Sequence, residues 1–318
     1  EMFARIRDFK TAESYYLQIL AYDITDDMRR ETMLSMAKLF ELSDEPAKQA
    51  AVLEKFAETF PDDPGTPQVY IKVGILYRQL GLSSLALMRF YSVLNFSLKI
   101  DSNKIAAYRQ LSIRAQMEIA DTHFSTQRYD EAIKFYSRLR LLDLSPEDRA
   151  RAVFQTAECH YLLKQDPDAI ANFESFLASY PNDAKVPEAM FTLSNAYSRA
   201  GRFPDASRIV LELLKRESKN AQDDEKQWIY WQKKAGTQLA ANFFELKDYS
   251  SALTLYQAML PLGTEPSWTW PILYQMGLCY EKLSITDKAA ESYQKILNWR
   301  EYERVEAMKV STLKSTFD

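Results

Sequence analysis

The sequence predicts an all-α solenoid, in which copies of one antiparallel helix pair stack in series. Two observations predict this fold class. Apolar residues recur at helical spacing along nearly all of the 318 residues, which include only 7 glycines. A motif of one small residue, followed four and seven positions later by large apolar residues, returns eight times. A single helix pair cannot bury its own apolar faces, so the repeated pairs must stack on one another.

The motif repeats on two scales. Its copies are separated by steps of 37, 37, 46, 37, 37, 46 and 37 residues, so the series of steps itself has a period of 120 residues. Under that period Phe60-Pro61 coincides with Tyr180-Pro181, and Gly81 coincides with Gly201. Gln49 stands in the one weak copy. The small-residue positions are Ala12, Gln49, Ala86, Ala132, Ala169, Ala206, Ala252 and Ala289.

Each predicted element follows from these repeats and from the residues that stop helices. Residues 1–22 fit a lone second helix whose first helix would precede Glu1, so we expect a piece of a longer chain. Seven helix pairs follow within one solenoid over residues 1–318, and residues 303–317 fit a capping helix. Proline marks stops such as Pro61, because it lacks the N–H that continues a helix. The predicted segments are Met28–Leu42 with Pro46–Phe60, Pro67–Leu80 with Ser83–Leu98, Lys104–Thr126 with the helix of Ala132, Pro146–Tyr180, Val186–Arg216, Asp224–Leu246 with Tyr249–Pro261, and a last pair ending near Asn298.

Two first helices are predicted to be longer than the others. Each 46-residue step adds nine residues, which corresponds to about 2.5 turns, or roughly 13.5 Å of helix. The lengthened helices are Lys104–Thr126 and Asp224–Leu246, and Tyr108 in the first becomes Trp228 in the second. The added turns indicate either a functional protrusion or a cover for neighbouring pairs.

The repeat resembles the tetratricopeptide repeat, a family whose period is 34 residues. The 37-residue copies with a Tyr-Pro or Phe-Pro stop are similar to the bacterial cell-envelope branch of that family. Segments that carry this likeness are FAETFPDD with TPQVYIKVGILYRQLG, and FLASYPND with VPEAMFTLSNAYSRAG. They resemble outer-membrane assembly lipoproteins and Tol-Pal coordinator proteins. The resemblance implies a right-handed superhelix that binds protein or peptide segments, in the periplasm or cell envelope, with the cytoplasm as the alternative.

The family lines its concave groove with fixed positions of the first helix, so the resemblance implies a set of partner-binding residues. Aromatic anchors beside polar groups suit peptide-binding hot spots. The competing interpretation is that individual aromatic side chains pack against the adjacent repeat. Position 5 is mostly apolar, so the carboxylate clamp of the chaperone-tail type is not expected. The candidate groove residues are Arg78, Met117, Asp121, Phe124, Arg151, Phe154, Glu158, Tyr161, Phe191, Asn195, Arg199, Phe244 and Tyr274.

Composition and motifs exclude several classes of function. The formal net charge of -4 argues against a nucleic-acid binder, which needs a basic face. No window approaches the length and apolarity of a membrane span. The sequence contains no zinc-protease, CxxC, phosphate-loop or nucleophile-elbow motif. We therefore expect no enzyme activity, no cofactor and no metal site.

The histidines and cysteines are predicted to be structural. His123 and His160 occupy position 11 of the repeat, which is aromatic in the other copies, so an aromatic core slot explains them. Cys159 and Cys279 are 120 residues apart in equivalent positions, which predicts two buried thiols rather than a disulfide.

Two further functions stay open. One is a structural spacer that holds flanking domains apart or self-associates through its ends near Phe3, Phe9 and Tyr16. The other is glycan binding through an aromatic-rich surface, for which packing into the core is the competing interpretation. The residues of that surface are Trp228, Tyr230, Trp231, Trp268 and Trp270.

Overall fold

The computed structural model describes residues 8–97, 105–215 and 225–298. These residues form fifteen α-helices and one short 3₁₀ turn, and the described ranges contain no strand. The chain divides into two compact units, Glu1–Leu163 and Lys164–Asp318. The predicted all-α repeat fold is thereby confirmed, while one continuous solenoid across residues 1–318 stays a prediction.

The described residues of the first unit form eight helices, and each packs against the next along the chain. Residues 1–22 were expected to hold a lone second helix, and the described part of that range, residues 8–22, contains α1 at Phe9–Ala21. The bounds are α1 Phe9–Ala21, α2 Asp26–Leu42, α3 Pro46–Thr59, α4 Thr66–Gln79, α5 Ser83–Ser97, α6 Ile105–Ser125, α7 Tyr129–Leu139 and α8 Pro146–Leu162.

Seven helices lie within the described part of the second unit, and α10 also contacts α12 directly. A 3₁₀ turn at Leu260–Leu262 follows α13. The predicted capping helix at residues 303–317 lies outside the described residues. The bounds are α9 Asp166–Ser179, α10 Val186–Arg199, α11 Phe203–Lys215, α12 Glu225–Glu245, α13 Tyr249–Met259, α14 Pro266–Lys282 and α15 at residues 286–298.

Residues with left-handed backbone conformation end the first helices and recur with the 120-residue period. Gly81 and Gly201 both end a first helix with positive φ, at 76° and 74°. At Gly81 the turn is closed by the Leu82 amide, which donates to the Tyr77 carbonyl at 2.8 Å. This hydrogen bond satisfies a carbonyl that the end of the helix leaves unpaired. Five non-glycine residues adopt the same conformation after the other five first helices, namely Asp44, Gln127, Lys164, Lys247 and Ser284.

Small residues lie where the two helices of a pair meet. Ala120 on α6 and Ala132 on α7 are fully buried, as are Ala240 on α12 and Ala252 on α13. Larger side chains at these positions would hold the helices apart, so the alanines set the close packing. Gln49 on α3 fills the same kind of position, with 3% of its surface exposed.

The two lengthened first helices are present. Helices α6 and α12 each contain 21 residues, whereas the other first helices have 14 or 17. Within α12 the added N-terminal turns bury Trp228. The equivalent Tyr108 of α6 is half-buried and stacks on Phe96, with 5.9 Å between ring centroids. In both places the added turns cover the preceding pair.

Candidate functional site

Three predicted groove residues of the first unit pair with charged groups of the same unit. The guanidinium of Arg78 on α4 lies 2.7 Å from the Glu118 carboxylate on α6. Asp121 on α6 pairs with Arg151 on α8 and also accepts a hydrogen bond from the Tyr136 hydroxyl at 2.6 Å. These contacts tie neighbouring helices together, so the charges are neutralised without a partner molecule.

Two other predicted groove residues belong to the core. Met117 packs in a buried cluster with Phe90, Ile113 and Tyr136. Phe154 is 2% exposed, so its ring is covered by neighbouring side chains. The burial of these two side chains fits the competing interpretation, in which position-5 residues pack against their neighbours. Their role in partner binding stays a prediction.

Phe124 and Phe244, which are 120 residues apart, make the same contact. Each half-buried ring packs edge-on against the tyrosine that begins the next helix. The ring centroids are 5.6 Å apart for Phe124 and Tyr129, and 5.2 Å apart for Phe244 and Tyr249. Both aromatic rings therefore act in closing the turn between the helices of a pair.

The remaining predicted residues keep part of their surface exposed. Glu158 and Tyr161 on α8 are half-buried, as is Asn195 on α10. Arg199 pairs with Asp166, with Nε 2.9 Å from the Oδ1 atom. Tyr274 on α14 is 51% exposed and lies beside Tyr293.

A cavity opens in the first unit on the side formed by the first helices α2, α4 and α6. Its volume is about 500 Å³, within the usual range for ligand pockets. The apolar part of the lining includes Phe40, Ile71, Ile75 and Leu111. Glutamine and charged side chains surround it, and the repeat pattern singled out few of these residues. They are Glu41, Asp44, Glu45, Gln49, Gln68, Lys72, Gln79 and Arg114.

The cavity wall contains a buried amide. Among the described residues, the Gln49 Nε2 atom has no hydrogen-bond partner. A buried donor without an acceptor costs about 1–3 kcal/mol, so alanine would be the more stable choice at this packing position. The break in the alanine series was the sequence signal for this residue, and nothing in the sequence connected it with a cavity.

The second unit carries an aromatic–lysine cluster, formed by Phe191 on α10 and by Tyr230, Trp231 and Lys234 on α12. The Trp231 ring lies 5.2 Å from that of Phe191 and 5.1 Å from that of Tyr230. Tyr230 is 54% exposed. Phe191 is the one predicted groove residue in this cluster.

The predicted tryptophan-rich surface is divided between different environments. Trp228 is buried in the core. The Trp268 indole N–H donates to the Met259 carbonyl at 3.3 Å, and the Trp270 ring is half-buried. Of these four tryptophans, Trp231 alone joins the aromatic–lysine cluster. A glycan platform of adjacent exposed indoles is therefore not supported.

The buried histidine and thiols have structural environments. His123 is buried and stacks on Phe135 at 5.8 Å, and its burial lowers the pKa of the imidazole. Cys159 and Cys279 are fully buried free thiols. Burial raises the pKa of Cys159 to about 12 and that of Cys279 to about 11, which leaves both thiols unreactive at neutral pH.

Neither a metal site nor a membrane span is found in the described ranges. No cluster of three or more histidine, cysteine, aspartate or glutamate residues could hold an ion there. Within the same ranges, every helix is too short or too polar to cross a bilayer.

Comparison with known proteins identifies the repeat. Residues 118–184 and 272–298 each match a tetratricopeptide repeat family model. No curated protein sequence matches the chain.

One solved structure of a tetratricopeptide repeat protein shares the fold, and two further structures are similar to the chain. The C-terminal part of such a protein from Cytophaga hutchinsonii has a TM-score of 0.55 at 16% identity, over 82% of this chain and 93% of that one. A repeat protein from Parabacteroides merdae gives 0.49 at 12% identity, covering 85% and 92%. MamA from Desulfovibrio magneticus gives 0.45 at 15%, covering 61% and 97%. With its helix pairs, its buried small residues and its two matched segments, the chain contains tetratricopeptide repeats.

Proposed function

We propose that the protein is a non-enzymatic scaffold that binds a segment of another protein on the side formed by its first helices. The tetratricopeptide repeat fold is typical of non-catalytic interaction scaffolds. The observation that supports a binding role most directly is the cavity between α2, α4 and α6.

The cavity has the composition of a peptide site. Apolar side chains such as Ile75 and Leu111 offer a surface on which an apolar side chain loses its contact with water. Lys72 is held at the edge by an ion pair to Glu41 at 2.8 Å, while the exposed Arg114 guanidinium has no ion pair in the described part of the chain. Polar groups around an apolar floor fix the orientation of a bound segment.

Gln49 supplies a specific reason for a peptide. A peptide group carries both a hydrogen-bond donor and an acceptor, so it satisfies the buried amide in either orientation of the side chain. A turn of the amide towards the cavity is needed, since the Nε2 atom is shielded from solvent. A bound backbone would then remove the cost of the unpaired donor.

The test is selection of random 12-residue peptides on phage by the immobilised protein. Peptides that bind the cavity are expected to lose about tenfold in affinity for Arg114→Glu and Gln79→Arg, two changes at exposed positions of the lining. Arg109→Glu is the matched control, because Arg109 is also an exposed arginine of α6 but does not line the cavity.

Two results would contradict the proposal. Selection that enriches no sequence would favour the spacer, especially if light scattering shows a mass that rises with protein concentration. Peptides that bind all variants equally would move the interface away from the cavity.

We also propose a place in a bacterial envelope assembly, in the periplasm or at the outer membrane. The support is the likeness of the Phe-Pro and Tyr-Pro stops to the envelope branch. Fractionation of source cells tests this localisation, and recovery of the protein in the cytoplasm would contradict it.

A further inference from the structure

The Lys234 ammonium is surrounded by three aromatic rings of the second unit. Its Nζ atom lies 4.8 Å from the ring centre of Phe191, 5.4 Å from that of Tyr230 and 4.7 Å from that of Trp231. Each distance lies within the range of a cation–π contact. The three rings hold the positive charge in one place at the surface of α10 and α12.

This charge has no carboxylate of its own. Among the described residues, neither Lys234 nor the adjacent Lys233 forms an ion pair, and Lys233 instead lies 4.4 Å from the Trp268 ring centre. Several other lysines do pair with acids, such as Lys72 with Glu41 and Lys185 with Glu188. The aromatic–lysine cluster is thus positive in a chain whose net charge is -4.

The local sequence strengthens this charge pattern. Between Trp228 and Phe244 on α12, the only charged residues are Lys233 and Lys234. An acidic group that approached them would meet no repulsion from acids of that stretch. Aromatic faces beside the lysine also exclude water, and a charge pair is stronger where water is partly excluded.

We propose that the aromatic–lysine cluster binds an acidic segment of a partner protein. One aspartate or glutamate of the segment pairs with the Lys234 ammonium. A neighbouring apolar side chain lies on the exposed Tyr230 ring and on the half-buried Trp231 ring. The rings preorganise the ammonium, so little side-chain entropy is lost when the carboxylate arrives. This site shares no residue with the cavity of the first unit, so the test of one site does not decide the other.

The chemistry selects the partner in two ways. Lys234 requires a negative charge on the segment. The rings require an apolar or aromatic residue next to that acid, because an exposed ion pair alone contributes little binding free energy. A purely acidic segment without apolar residues would gain only the screened charge interaction. A basic segment would have to displace Lys234 from the rings.

The experiment measures fluorescence anisotropy of three labelled 12-residue peptides with one pattern of leucine and phenylalanine. The remaining positions are all glutamate in the acidic peptide, all glutamine in the neutral peptide and all lysine in the basic peptide. The acidic peptide is expected to bind wild-type protein most tightly and to weaken as salt rises. Its affinity should fall about tenfold in Lys234→Gln, as expected for loss of one charged hydrogen bond, and Lys234→Arg should restore most of it.

Lys288→Gln provides the matched control. Lys288 is also an exposed lysine beside one aromatic ring, 5.8 Å from the ring centre of Tyr280, but it lies outside the cluster. The change should leave the affinity unaltered. Tyr230→Ala removes an exposed ring and should weaken the acidic peptide several-fold while its salt dependence persists.

Other outcomes overturn the proposal. Tighter binding of the basic peptide would show that the rings take a cation from the partner. Equal binding of the acidic peptide by Lys234→Gln would place its site elsewhere. If none of the three peptides binds, a protein segment is excluded as the ligand. Binding of anionic phospholipid vesicles in the same assay would not change that conclusion.

Discussion

A Cβ atom placed on Gly74 would lie 2.4 Å from the Phe90 ring. Gly74 is on α4 and Phe90 is on α5, and both are buried. The same relationship joins Gly277 to Tyr293 in the second unit, at 2.2 Å. At these two pairs the ring of the second helix occupies the space that a side chain on the first helix would need.

Gly74→Ala is therefore expected to destabilise the protein. The ring must move in a closed core, which costs about 1–3 kcal/mol of unfolding free energy. Urea denaturation followed by far-ultraviolet circular dichroism measures the change. In a double variant with Phe90→Leu the added methyl should cost less than in wild type, and strictly additive effects would show that the two positions do not compete for space.

Lys247→Gly is expected to stabilise the second unit, whereas Gly201→Ala is expected to destabilise it. Both residues have positive φ, 63° and 74°, a conformation that costs non-glycine residues about 1–2 kcal/mol. For Lys247→Gly, the relief of this strain is partly offset by the greater freedom of glycine in the unfolded chain. The net increase in unfolding free energy should be about 0.5 kcal/mol. Thermal unfolding of both variants tests the pair, and a lower melting temperature for Lys247→Gly would contradict the account.

Phe154→Ala should act on stability before it acts on any partner. Removal of a buried phenylalanine ring costs about 3–5 kcal/mol. Tyr274→Ala is the matched control, since Tyr274 occupies the same position of its repeat but is 51% exposed; its change should stay within about 1 kcal/mol. Equal unfolding midpoints for wild type and Phe154→Ala would show that Phe154 is accessible after all.

His123→Phe should remove part of the loss of stability in acid. Burial lowers the pKa of His123 from its ordinary 6.5, nearby Arg128 lowers it further, and Glu131 opposes both. The unfolded state then binds more protons, so stability falls as the pH drops through about 6.5 and below. Phenylalanine, which stands at the equivalent position 243, carries no such proton.

The measurement is the free energy of unfolding in urea at pH 7.5 and pH 5.5. The difference between the two should be smaller for the variant than for wild type. Identical differences would show that His123 has the same proton affinity in both states.

The period of the sequence was sufficient to predict the helices. Proline stops and the small-residue series placed α3, α4 and α10 to within a few residues, and the nine added residues predicted the length of α6 and α12. These features depend on local backbone chemistry and on packing that every repeat must satisfy.

The exposure of individual side chains could not be predicted in this way. Position 5 holds both Phe154, which is buried, and Tyr274, which is half exposed, because the cover over each ring comes from neighbouring side chains that differ between repeats. Lys234 was missed for a related reason. A lysine in a sequence indicates a solvated charge, and its position among three rings depends on the contact between α10 and α12.

The left-handed residues have a consequence for how such a chain can change its length. Asp44, Lys164 and Ser284 have φ angles of 55°, 59° and 60° at matching points of three successive blocks. If the residues between Asp44 and Lys164 were deleted, the new junction would join two stretches with the same local backbone conformation. Blocks of 120 residues and single helix pairs are therefore natural units by which this protein could be shortened or extended, because each first helix in the described ranges ends with the same left-handed backbone. A loss that joined two non-matching points of the repeat would place a helix where a turn is required.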